Sequence, residues 1–197
     1  MDTLLGVTDK ESVFRERLLR AMAEEIRERA FRDTRIPDIV RRAQTSMRTF
    51  YEMFGSREEC FLELMRQVND ETMAAIAEAV DPSAHWESQV EQAINAWVSV
   101  SASQPEIARS AIRDLPSLGE QGRRLQRQAL DDFATLVETV TSSAGMRASG
   151  VAPPSRQLIM ILLGGLRELI AMAIEDDEDL SKVSEAAIIA TKALARP

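Results

Sequence analysis

The stretch from Thr34 to Phe54 limits the possible folds most, because it reads as two short helices joined at Gln44 and Thr45. Thr34 is placed to cap the first, Pro37 falls in its first turn where a missing N–H costs little, and Ile36, Ile39, Val40 and Ala43 form its apolar side. Ser46 is placed to cap the second, on which Phe50 and Phe54 stand four residues apart and face inward while Arg48, Thr49, Tyr51 and Glu52 stay outside. That is a helix-turn-helix arrangement. Upstream, Phe14, Leu18, Met22, Ile26 and Ala30 recur every four residues and predict a helix from Ser12 to about Ala30 and Phe31. Downstream, Gly55 stops the third helix, and Ser56 with Glu59 forms a capping box for a fourth that runs to about Val80, where Asp81 and Pro82 break it.

Five further helices are predicted, over 83–104, 105–115, 119–143, 155–174 and 180–194, so the fold class is all-α with about nine helices. Composition agrees: aromatics are 5%, Ala, Leu, Glu, Arg and Met are abundant, and 45% apolar residues in 197 supply a real core. Residues 144–154, with two Gly and two Pro, form the longest connector and the expected mobile one. Met1 to Val7 has no signal-peptide pattern, and the apolar segment Leu158 to Ile174 is interrupted by Arg167 and Glu168, which reads as a buried helix. The expectation is a soluble, cytoplasmic protein.

Single copies of Cys and His rule out an intramolecular disulfide and a multi-Cys zinc site, and no cofactor or metal is expected. Cys60, before Phe61 and Leu62, reads as a small core residue, and His85, beside Trp86, as a surface or capping one. Neither has a catalytic partner in view, no Gly-rich phosphate loop is present, and the chain is not expected to be an enzyme. The acidic run Glu175 to Asp179 lacks the spacing of a calcium loop and reads as a solvated turn.

The net charge of −8 is unevenly spread. Residues 10–60 carry 12 basic and 10 acidic side chains, a balance of +2, while residues 61–197 carry 12 and 20; Asp2 and Asp9 complete the total. Screening acts over about 8 Å at physiological salt, so the amino-terminal quarter can face phosphates despite the acidic total.

From Arg15 to Met65 the chain resembles the DNA-binding domain of the TetR family. The resemblance is carried by Ile36, Asp38, Ile39, Arg41, Arg42 and Ala43, by Ser46, Thr49, Phe50, Tyr51 and Phe54, and by Gly55, Ser56, Arg57, Glu58 and Glu59. Ala30 and Gln44 depart from the family, which has glycine at these places, and Glu52 and Met53 remove polar or basic contacts found in relatives.

The resemblance implies a three-helix, homeodomain-like DNA-binding domain at 10–55 and an effector-binding and dimerisation domain at 56–197, with 56–80 as the connecting helix. Arg48 is the base-reading candidate, since a guanidinium donates twice to guanine. Met47 is read either as a contact to a thymine methyl or as core filler before Phe50. Thr45, Ser46, Thr49 and Tyr51 suit phosphate or mixed contacts, and Thr34, Arg35 and Arg57 suit phosphates.

For an effector pocket, Met65 and Asn69 on the fourth helix, Trp97, Phe133, Leu136 and Met160 are the candidates, each with plain core as its alternative. Asn69 stands in an otherwise apolar row. For the homodimer, the eighth helix supplies Leu162, Gly165, Leu166 and Leu169, and the ninth Ala187, Ala190, Thr191 and Leu194. Gly164 and Gly165 would let another helix approach closely. The implied function is a ligand-responsive transcriptional regulator, a repressor that binds a palindromic operator in double-stranded DNA as a dimer and is released by a small-molecule effector. The alternative is a helical ligand-binding or adaptor dimer with a vestigial head, which would lack steep salt dependence on DNA.

Overall fold

Serine caps set three of the helix starts in the computed structural model, which describes residues 3–142, 150 and 153–195, with side chains from 11 to 194. The α-helices are α1 (Thr3–Glu28), α2 (Ile36–Arg42), α3 (Met47–Met53), α4 (Arg57–Ala79), α5 (Trp86–Ser103), α6 (Pro105–Arg113), α7 (Gly119–Thr141), α8 (Arg156–Glu175) and α9 (Leu180–Ala195). Short 3-10 turns lie at Phe31–Asp33 and Leu115–Leu118. Ser46, Ser56 and Ser155 each accept a hydrogen bond from the backbone N–H three residues on, at 3.0, 3.1 and 3.2 Å. The Glu59 carboxylate reaches back to the Gly55 N–H at 2.8 Å, one residue before the cap. The predicted mobile connector, 144–154, lies outside the described residues apart from 150, 153 and 154.

Two expectations at the amino-terminal end are corrected. Helix α1 begins at Thr3 rather than Ser12: no proline stands before Ser12 to end the backbone hydrogen bonding, so the stripe from Phe14 does not mark the helix start. Thr34 does not cap α2: that position belongs to Arg35, which makes no side-chain cap bond. The 3-10 turn at Phe31–Asp33 swings Thr34 inward, where its side chain is fully buried and its hydroxyl donates to the Ala30 carbonyl at 3.4 Å.

Leu18, Met22, Ile26, Ile39, Phe50, Phe54 and Phe61 form the centre of the first core, and Phe31 stacks on Phe61 at 4.0 Å between centroids. Each such side chain stabilises the fold by roughly 1.5–3 kcal/mol through burial. This core continues through Leu62, Leu64 and Met65 of α4 to Ile107, Leu115 and Leu125, so α1 packs on α6 and α4 on α7. Cys60 lies in it fully buried, and burial pushes its thiol pKa up, leaving an inert small side chain.

A buried charge also ties α1 to α2. Glu25 is fully buried and faces Arg42 at 2.7 Å and Arg29 at 3.3 Å, while Arg42 also reaches Glu28 and Glu24. Arg42→Met should therefore leave Glu25 with Arg29 alone and cost on the order of 3 kcal/mol. Chemical denaturation should show a clearly lower midpoint, with Glu25→Gln added in the same chain restoring part of it.

The second half packs α5, α8 and α9 around Ile94, Val98, Leu166, Ile170, Ala173 and Val183. Helix α8 is long and apolar enough to cross a membrane by length and composition, but here Ile159, Leu163, Leu166, Ile170, Ala171 and Ala173 face the protein core. Leu166, expected at the dimer interface, is 7% exposed and belongs to this core; Ala187, also expected there, packs against it from α9. The neighbours decide this, since a helix apolar all round has no inner face of its own. The opposite side stays open: Ile161, Leu169 and Met172 on α8 are 67, 43 and 47% exposed, and Ile189 and Leu194 on α9 are 70 and 50%.

Candidate nucleic-acid interface and cavity

The approach to α3 is held by a Schellman turn at the end of α2. Thr45 N–H donates to Val40 at 2.9 Å and Gln44 N–H to Arg41 at 3.1 Å, which places Gln44 at φ 49°. The family's glycine preference at this place is thus a demand for left-handed backbone, and glutamine there costs on the order of 1 kcal/mol. Ala30, by contrast, has φ −53° and no such strain. Arg17 of α1 donates to the Ala43 and Gln44 carbonyls and props the turn from behind. No local pattern announces that role, because the partners lie 26 and 27 residues away.

On α3, Phe50 is fully buried and fixes the rotation of the helix, so Met47, Arg48, Tyr51 and Glu52 point outward and Thr49 is half-buried. Met47 is 40% exposed, which favours a surface role over core filler. Ser46 shares its hydroxyl with Thr49 at 2.9 Å, and Tyr51 meets the Phe50 ring edge-on at 5.6 Å. Arg48 has 88% of its side chain exposed, and Glu52, one turn on, accepts from its Nε at 2.8 Å. An exposed pair of this kind is weak and screened by salt, so the guanidinium is available for exchange onto a base edge.

Most other cations of the head are committed internally. Arg15 pairs with Glu63 at 2.7 Å and lies over the Phe54 ring, and Arg41 pairs with Asp38 at 2.7 Å. Arg57, expected on phosphate, donates to the Thr34 carbonyl at 2.8 Å, stacks on Phe31 at 4.4 Å and pairs with Glu58 at 2.7 Å. It holds α4 to the connection between α1 and α2. Arg35 is exposed at the start of α2 and makes no ion pair among the described residues. Thr34, expected alongside it, is buried as described above.

A cavity of about 120 Å³ is lined by α4, α5, α6, α7 and α8. Met65, Asn69, Trp97 and Phe133 line it, as expected, and Trp97 leans on Phe133 at 5.1 Å. Leu136 and Met160 do not line it. Both lie about one helical turn beyond its end, past Phe133 on α7 and before Leu163 on α8, and Met160 packs with Ile159, Leu163 and Ala134 instead. Arg167 lines the cavity unforeseen; its only sequence signal was a charge interrupting an apolar segment.

The family model for the tetR family of bacterial regulatory proteins matches residues 18–64, which span α1 to the first turns of α4. No curated protein matches the chain significantly. Among solved structures the chain is similar to the transcriptional regulator FadR from Bacillus subtilis, in complex with stearoyl-CoA, at 16% identity and TM-score 0.76 over 88% of this chain and 95% of that one. It is also similar to a transcriptional regulator from Rhodococcus sp. RHA1, at 18% identity and TM-score 0.74 over 91% of this chain and 95% of that one. A third, from Aquifex aeolicus, stands at 22% identity and TM-score 0.66 over 91% of this chain and 98% of that one. Residues 18–64, the head from α1 to the first turns of α4, thus match the amino-terminal domain of the tetR family of bacterial regulatory proteins, and the helices behind it share the fold of these solved transcriptional regulators.

Proposed function

We propose that the protein is a repressor that binds a palindromic operator as a homodimer and lets go when a small molecule fills the cavity. Residues 10–55 form the DNA-binding domain in this reading and 56–197 the effector and dimer domain. The observation that carries it is the continuity of α4: Phe61, Leu62 and Leu64 are set in the core of the head, and Met65, Asn69 and Met73 of the same helix line the cavity. A ligand that widens the cavity pushes on a rigid helix rooted in the head, and so changes the spacing of two recognition helices across a dimer. The solved FadR neighbour holds stearoyl-CoA, which supports ligand occupancy of this fold.

On DNA, Arg48 is assigned the base contact, with Met47 beside it and Arg35, Thr45, Ser46, Thr49 and Tyr51 on the backbone. Arg48→Ala should lower affinity for the cognate site about tenfold and leave random DNA nearly unaffected. Equal losses on both would move Arg48 to the phosphate class. Footprinting on the DNA upstream of the protein's own gene should protect a two-fold symmetric site, with affinity falling steeply as salt rises. Absence of protection at low salt would favour the adaptor reading.

A further inference from the structure

The cavity is mostly apolar, but its polar groups are unevenly satisfied. Thr72 and Ser101 spend their hydroxyls on the Val68 and Trp97 carbonyls of their own helices, at 2.7 and 3.0 Å. The Gln104 side-chain oxygen, Oε1, accepts from Arg27 at 2.7 Å. Asn69 makes no side-chain hydrogen bond among the described residues, and Arg167 makes one, to the Ala111 carbonyl at 3.3 Å. A guanidinium carries five N–H donors, so most of those on Arg167 are unspent. Burial lowers the pKa of Arg167, since its surroundings offer little that favours a cation, yet an arginine stays charged.

Position matters as much as charge. Arg113, the last residue of α6, is neutralised by both Glu168 and Glu175 of α8, at 2.8 and 2.7 Å. Arg167, adjacent to Glu168, shares neither carboxylate and makes no ion pair among the described residues. A largely buried cation without a counter-charge, in a cavity walled by Met65, Trp97, Phe133 and Leu163, is stabilised by any anion that can enter.

We infer that the effector is an apolar acid whose carboxylate is received by Arg167, with its hydrocarbon body lying against Trp97, Phe133 and Met65. This rests on the effector reading above and names the chemical class of the ligand. The small volume calls for a slender molecule, and Met65 and Met73 are the side chains able to yield to it. Asn69 provides a second, neutral donor from the opposite helix.

The test uses the full-length protein and two acids of different shape, decanoate and 2-naphthoate, each against its primary amide. Calorimetry and thermal shift should show at least one acid binding about tenfold or more tightly than its amide, a preference that Arg167→Gln removes and Arg167→Lys partly keeps. Far-UV circular dichroism of both variants reports that the fold is retained. Amides that bind as tightly as acids, or an acid preference that survives Arg167→Gln, would overturn the assignment while leaving the cavity as an effector site. No binding by any of the four compounds would overturn it as well. Gel shifts with the operator fragment separate the two levels: an acid that binds through Arg167 without releasing DNA upholds the ligand class and sinks the release mechanism.

Discussion

Leu169→Asp combined with Ile189→Asp is expected to convert the protein to a monomer in solution and to lower its affinity for a symmetric operator by more than about 100-fold. Both side chains are exposed in the single chain, at 43 and 70%, so neither belongs to the buried core. Ile161 and Met172 are exposed as well and fall on the Leu169 side of α8, eight residues before it and three after, so this helix presents an apolar stripe. A carboxylate forced into a partner's apolar face stays unpaired and desolvated, which opposes association strongly. The DNA consequence follows from charge: in the proposed dimer, a head with a balance of +2, most of whose arginines are paired internally, is expected to bind weakly by itself and to depend on the second head. Sedimentation and gel shifts measure the two effects separately, with circular dichroism as the check on folding. A variant that remains dimeric, or a monomer that holds the operator as the wild type does, would refute the assignment of this face.

The second large effect is expected at Gly122, buried near the start of α7. A Cβ there would stand 1.9 Å from the Leu115 carbonyl oxygen and 3.1 Å from the Leu118 Cβ. A backbone oxygen at that distance cannot be moved by a rotamer change, so the 3-10 turn at Leu115–Leu118 must shift. Gly122→Ala gains up to about 1 kcal/mol in helix propensity but loses several through the clash, for a net destabilisation of roughly 2–4 kcal/mol. Because Leu115 and Leu125 belong to the core beneath the head, the loss should reach α1 to α4 as well, visible as faster amide exchange there. Gly164→Ala is the matched control. A Cβ at Gly164 meets nothing within 4 Å in the single chain, so this change should leave the monomer as stable as before or slightly more so. Any weakening it causes belongs to the approach of another helix.

The division between what was legible in the sequence and what was not follows the range of the interactions. Ser46, Ser56 and the Phe50–Phe54 spacing specify α3 and its flanks, because a cap and its N–H lie three residues apart and one helical face repeats every three or four. The left-handed turn at Gln44 was signalled only by the family resemblance, as a residue standing where relatives have glycine, and the same signal at Ala30 fell on ordinary backbone. Contacts across long separations left no such mark. Arg57 looked like a phosphate ligand until the carbonyls of Phe31 and Thr34 were brought beneath it, and Thr34 looked like a cap until a 3-10 turn rotated it inward.

By itself, then, the sequence determined an all-helical chain with a helix-turn-helix at α2 and α3, since local hydrogen bonding and periodicity suffice for that. Tertiary structure alone decided which side of α8 became core, placing Leu166 inward and leaving Ile161 and Leu169 open. It also ended the cavity short of Leu136 and Met160 and set Arg167 inside it without a counter-charge. The physical reason is the same in each case: an apolar helix gives no inner direction, and a buried charge acquires its meaning only from the neighbours that the packing brings to it.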